Sequence, residues 1–124
     1  MILPGLGMER AYVLSLRNSP EIIARGVSGH TVGPEWLDTG RFYVIYEPVG
    51  YMRVDEGEVS IAVEYGARGQ GIASRALRSL ADREPGITAR VKVDNHASLW
   101  AFRKAGFEQT AERDGLIVFR AGSA

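Results

Sequence analysis

The stretch that decides the fold is Val59-Ser60-Ile61-Ala62-Val63 followed, after a short link, by Arg68-Gly69-Gln70-Gly71-Ile72-Ala73. An apolar, β-branched run leads into a glycine-rich turn, and the turn leads into a helical pattern. Glycines let the backbone approach an anion closely, and a helix start offers unpaired N–H groups at the positive end of its dipole. The arrangement reads as a cradle for a pyrophosphate-bearing cofactor.

Working outward, Gly71 to Asp82 carries Ile72, Ala73, Ala76, Leu77, Leu80 and Ala81 at helical spacing, with Arg75, Arg78 and Arg83 on the other side. Pro85-Gly86 ends the helix, and Ile87 to Val93 reads as a strand. With the strand at Glu58 to Val63 this makes a βαβ unit, which implies parallel neighbours and a right-handed crossover. Upstream lies a meander: Arg41 to Glu47, a turn at Pro48, Val49 to Val54, a hairpin at Asp55-Glu56-Gly57, and Glu58 to Val63. Ahead of it, Ala11 to Arg17 reads as a strand. Ser19-Pro20-Glu21 starts a short helix ending near Arg25-Gly26, and Val27 to Gly40 reads as loop with one helical turn at Pro34-Glu35-Trp36-Leu37. Downstream, Asn95 to Ala105 is a second long helix closed by Gly106. Phe107 to Arg113 and Leu116 to Arg120 form a hairpin around Asp114-Gly115.

The 124 residues suit one domain, spanning 1–124, with 1–8 expected as a flexible extension. Fifteen basic and fifteen acidic side chains cancel, so the chain lacks the basic excess of a nucleic-acid binder. There is no cysteine, which excludes disulfides, thiolate metal sites and cysteine nucleophiles. No run approaches the roughly 20 apolar residues of a membrane span, and the apolar start lacks the basic leader of a signal peptide. The expectation is a cytoplasmic protein with no nucleic-acid, membrane or metal partner.

The glycines do not fit two better-known phosphate loops. A dinucleotide fingerprint needs a third glycine where Ser74 stands, and a Walker loop needs a Gly-Lys-Ser/Thr ending. A second motif follows instead: Asn95-His96-Ala97-Ser98-Leu99-Trp100-Ala101-Phe102-Arg103-Lys104-Ala105-Gly106-Phe107. Together, Arg68 to Ala73 and Asn95 to Phe107 resemble the two cofactor segments of the GCN5-related N-acetyltransferases, the GNAT family. The resemblance covers roughly residues 11 to 120. It implies an α/β fold with a mixed sheet of about seven strands, about four helices and splayed central parallel strands. It also implies an enzyme that moves an acetyl group from acetyl-CoA to a primary amine by direct attack in a ternary complex.

Residue by residue, the resemblance places the pantetheine arm on the backbone of Ile61, Ala62 and Val63. It puts the pyrophosphate on Gly69, Gly71, Ile72 and Ala73, with Arg68, Gln70 and Ser74 around it. Asn95, Ser98, Phe102 and Lys104 are carried over as further coenzyme A contacts, with helix capping and a solvated lysine as the plainer readings of Asn95 and Lys104. The backbone N–H of Val63 is the expected oxyanion donor. Glu58 is the expected general base, with Glu64 and His30 as other candidates, and each has a plain surface reading as well. Phe102 departs from the family's common tyrosine, whose hydroxyl protonates the leaving thiolate. Tyr43, Tyr46 and Tyr51 are expected to offer hydroxyls to the cleft, and Trp36 lies in the segment that forms the acceptor side.

Arg17-Asn18-Ser19-Pro20-Glu21 and the segment from Ile87 to Phe107 are similar to family members that acetylate nucleotide-linked amino sugars, where phenylalanine at the Phe102 position is common. Three functions stay open: acetylation of a small amine such as an amino-sugar nucleotide, acetylation of a peptide, and non-catalytic acyl-CoA binding with a regulatory role. A homodimer could complete the abbreviated acceptor side.

Overall fold

A computed structural model describes residues 2–5, 7, 9–46 and 48–122. Seven strands form one mixed sheet. They are β1 (Ile2–Pro4), β2 (Arg41–Ile45), β3 (Gly50–Asp55), β4 (Glu58–Val63), β5 (Thr88–Lys92), β6 (Glu108–Arg113) and β7 (Leu116–Arg120). Their order across the sheet is β1-β2-β3-β4-β5-β7-β6. There are four helices, α1 (Arg10–Arg17), α2 (Pro20–Arg25), α3 (Ile72–Arg83) and α4 (His96–Lys104), among the described residues, and a 3-10 turn at Pro34–Asp38 lies between α2 and β2. This is the α/β mixed-sheet class expected.

Two expectations at the N-terminus are corrected. Ala11 to Arg17 is helix α1, not a strand. Its apolar residues are too few to separate a period of two from a period of 3.6, and the sheet face decides. Val13 is fully buried against Phe42, Val44, Tyr51 and Ala62, with Tyr12, Leu14 and Leu16 packed at the edge of that cluster. The first strand comes instead from the stretch expected to be a flexible extension, for Ile2–Pro4 pairs antiparallel with Ile45 to Tyr43. The expected strand end at Glu47 and the residues Met1, Leu6 and Met8 lie outside the described residues.

The sheet is buried on both faces. On one face Met52, Val54, Val59 and Phe119 cluster with Leu77 and Leu80 of α3 and Phe102 of α4, and on the other Phe42, Val44, Tyr51 and Ala62 cluster with Val13 of α1 and Leu37 of the 3-10 turn. β4 and β5, joined through α3, are the parallel pair. Their register consists of one pair, Glu58 opposite Thr88, whereas β4 matches β3 over its whole length. Past Glu58 the two strands part, and the cleft between them opens toward Val63.

Candidate active site

Because β4 leaves β5, part of its edge has no ladder. The Glu64 N–H donates to Val49 O at 2.8 Å, on the β3 side. Backbone polar groups alternate in direction along a strand, so those of Ile61 and Val63 face the gap. Ala62, expected to pair in the same way, turns its polar groups to Tyr51 on β3; its contribution to the gap is its side chain.

The glycine loop closes the same gap. Gly69 and Gly71 have φ of +79° and +75°, a region that favours glycine, and Gly71 is the left-handed residue ahead of α3. A Cβ on Gly71 would lie 3.0 Å from Arg75 Nη1, whose guanidinium folds over the loop to donate to Gln70 O at 2.9 Å. Arg75 is thus a cation at the loop rather than on the far side of the helix. Among the described residues, no backbone N–H from Gly69 to Ser74 donates to a protein acceptor. Successive unpaired donors at a helix N-terminus fit a pyrophosphate.

Arg68 is positioned by its own strand. It donates to Val63 O through Nε at 3.1 Å and Nη2 at 2.9 Å, and to the Glu21 carboxylate on α2. It therefore fixes the end of β4 and ties α2 to it. Asn95 caps α4, accepting from Ser98 N–H at 3.3 Å, and both residues line the gap.

The whole forms one cavity of about 610 Å³ between β4, β5, α3, α4 and the segment from α1 to the 3-10 turn. The expected site residues line it, except Gln70, Phe102 and Lys104. Gln70 is exposed and does not line the cavity. Phe102, expected as a coenzyme A contact, is 2% exposed, stacked on Phe119 at 5.5 Å and edge-on to Phe107 at 5.0 Å, so its ring packs in the core and does not line the cavity. Lys104 sits outside the cavity with Nζ 4.6 Å from the Trp100 ring centroid, and the exposed Trp100 forms part of the rim.

Of the three candidate bases, Glu58 and His30 reach the cavity. Both Glu58 carboxylate oxygens accept from Arg90, at 2.6 and 2.9 Å. Glu64 is outside, accepting from Tyr12 Oη at 2.6 Å. The three tyrosines divide. Tyr43 donates to Glu84 and Tyr46 to Glu9, both away from the cavity. Tyr51 is 3% exposed and lines the cavity. Its hydroxyl has no protein partner among the described residues, yet it is not among polar atoms sealed from solvent, so it opens into the cavity. Burial pushes its pKa well up, against the pull of Arg17 and Arg53, so it stays a neutral donor.

Sequence reasoning missed Arg17, Arg53 and Arg90, which line the cavity from α1, β3 and β5. No spacing links residues on three separate elements, so no motif could have flagged them.

Residues 12–107 match the model of a family described as "Acetyltransferase (GNAT) family". No curated protein matches the sequence significantly. The fold is similar to a domain from Methanocaldococcus jannaschii (TM-score 0.79, 16% identity, 97% of this chain and 96% of that one). It is also similar to ribosomal-protein-alanine N-acetyltransferase from Brucella melitensis (TM-score 0.74, 22% identity, 97% and 98%). A third is spermidine N-acetyltransferase from Vibrio cholerae with CoA and spermine (TM-score 0.74, 15% identity, 96% and 92%).

Proposed function

The chain belongs to the GNAT acetyltransferase family and is an acetyl-CoA-dependent enzyme of that class; from this premise we propose that it acetylates a primary amine on a small molecule, with an amino-sugar nucleotide as the leading class. The observation that carries the reading is the run of unpaired N–H groups from Gly69 to Ser74 beside the free edge of β4. Acetyl-CoA supplies the activated acetyl group, which passes directly to the amine in a ternary complex.

The chain's own residues divide the remaining work. Gly69, Gly71, Ile72, Ala73 and Ser74 hold the pyrophosphate through their backbones, with Arg75 adding charge. Ile61 and Val63 offer a strand edge to the pantetheine amides, and Asn95 lies across the cavity from them. The Val63 N–H is aimed where negative charge develops on the thioester oxygen, and Arg68 holds Val63 in place by taking its carbonyl. Glu58 lies five residues before Val63, about 16 Å along the strand, so it takes the amine's proton only through water. Phe102 has no hydroxyl, and the departing thiolate takes its proton from water.

The test is thiol release from acetyl-CoA with a panel of amines, beside CoA binding. Gly71→Trp, or a double change at Arg68 and Gly71, should weaken CoA binding more than about a hundredfold, since it fills the cradle. Unchanged CoA binding in those variants overturns the cofactor site. The buried Phe102, bringing no hydroxyl to the cavity, favours one second reading, an acyl-CoA-binding regulatory protein. Tight CoA binding with no thiol release on any amine would establish it.

A further inference from the structure

The acceptor side of the cavity carries a charge that the zero net charge of the chain conceals. Five arginines line the cavity: Arg17, Arg25, Arg53, Arg68 and Arg90. Three carboxylates pair with them. Glu21 is shared by Arg25 and Arg68, Asp55 meets Arg53 at 3.0 Å, and Glu58 meets Arg90. Among the described residues Arg17 has no acidic partner. It is held all the same: Nη1 donates to His30 O at 3.0 Å and Nη2 to Ser28 Oγ at 2.9 Å. The loop it grips is itself pinned, for Asn18 both donates to Val32 O and accepts from Val32 N–H, at 2.9 and 2.8 Å.

Trp36 is the platform beneath. The Arg17 guanidinium lies 5.6 Å from its ring centroid and that of Arg53 5.3 Å. Aromatic faces hold guanidinium groups in place without neutralising them. Trp36 is braced edge-on by Phe42 and Tyr51, at 5.1 and 5.8 Å, and the Tyr51 hydroxyl opens into the same space. Two guanidinium groups fixed on one indole, one of them without a counter-ion, beside a neutral phenol donor, make a receptor for an oxyanion. A polyamine would meet like charge here.

We propose that the acceptor is an amine that also carries an oxyanion, a phosphate or a carboxylate, and that Arg17, with Arg53 and Tyr51, binds it. This rests on the acetyl-transfer reading and names its substrate class. Arg53 sits opposite Ser60, three residues before Val63 and so about 10 Å along β4 from the expected site of transfer. The oxyanion is therefore several bonds from the amine, as in an amino-sugar phosphate, rather than adjacent as in an α-amino acid.

The experiment compares glucosamine 6-phosphate, its neutral parent glucosamine, γ-aminobutyrate, glycine and spermidine as acceptors for the full chain. Calorimetric binding of glucosamine 6-phosphate in the presence of CoA is measured in parallel. The phosphate acceptor should exceed glucosamine in kcat/KM by about tenfold or more. γ-Aminobutyrate should exceed glycine; if it also equals the phosphate acceptor, the oxyanion is a carboxylate. Arg17→Gln should raise KM for the phosphate acceptor by about ten- to a hundredfold while costing glucosamine at least tenfold less. Arg17→Lys should recover part of the loss, which separates lost charge from misfolding. Spermidine outperforming every anionic acceptor, or Arg17→Gln affecting all acceptors equally, overturns the proposal. Arginine-dependent binding without turnover would leave it standing and remove the transfer reading; turnover indifferent to Arg17 would do the reverse.

Discussion

At Gly50 the backbone of β4 leaves no room for a side chain. A Cβ there would stand 2.3 Å from Ala62 O and 3.0 Å from Val63 Cα. Gly50→Ala must push β3 from the end of β4 where the N–H of Val63 is aimed, so it should cost about 1–3 kcal/mol in denaturant unfolding and lower kcat together with stability. Phe102 offers a contrasting test. Phe102→Ala should cost about 3–5 kcal/mol, because the ring fills the space between Phe107 and Phe119. It should leave CoA affinity per folded molecule much less affected than Gly71→Trp does. Tyr51→Phe removes the one tyrosine hydroxyl in the cavity, beside Arg17 and Arg53, and should raise the KM for an anionic acceptor by about tenfold, with little change in the KM for acetyl-CoA. Both motifs were legible at this scale, because glycine φ and helix capping are local properties. The burial of Phe102 in the core was not legible, since a residue type does not say which side of a helix the core will take.

Among elements, the least obvious join is between β2 and the end of α3. Glu84, following α3, accepts from Arg41 and, at 2.7 Å, from Tyr43 Oη. The Arg41 guanidinium above all holds its carboxyl below the usual carboxylate range; burial, next in size, opposes the shift, and the Tyr43 hydroxyl adds to it. A carboxylate lowered on folding stabilises fully above its unfolded pKa, about 4.3, and loses that contribution as pH falls through the folded value. Denaturation followed from pH 7 down to pH 3 should therefore show stability falling below about pH 4.3, with a shallower slope in Glu84→Gln. At pH 7 that variant should be less stable by about 1–2 kcal/mol. α3 is joined to α4 as well, through Arg78 Nη2 donating to Lys104 O at 2.6 Å. The long helices and the meander were readable from periodicity and turn residues. α1 and β1 were not: one is eight residues and the other three, too short for either period to declare itself.

For the whole molecule, the consequence of one broken ladder is a cavity that reaches both faces of the sheet, with the glycine-rich turn ahead of α3 on one side and the arginine-lined wall on the other. A ligand that bridges β4, α3 and α4 should stabilise them together. At about a hundred times its dissociation constant, CoA adds about 2.7 kcal/mol, so thermal unfolding should rise by about 10 °C. Gly71→Trp should abolish that rise. Among the described residues no helix is long and apolar enough to cross a membrane.

What the sequence by itself determined is the glycine-rich turn into α3, the βαβ unit and the family, because each depends on residues close together along the chain: glycines at fixed offsets, a helix cap, an apolar period. Only the tertiary structure decided which backbone edge is free, that Phe102 belongs to the core, and that Arg17 and Arg53 meet over Trp36. Those facts depend on where β4 parts from β5 and on how α1 lies across the sheet. Such distances are set by packing between elements remote in sequence, and no local pattern of residues encodes them.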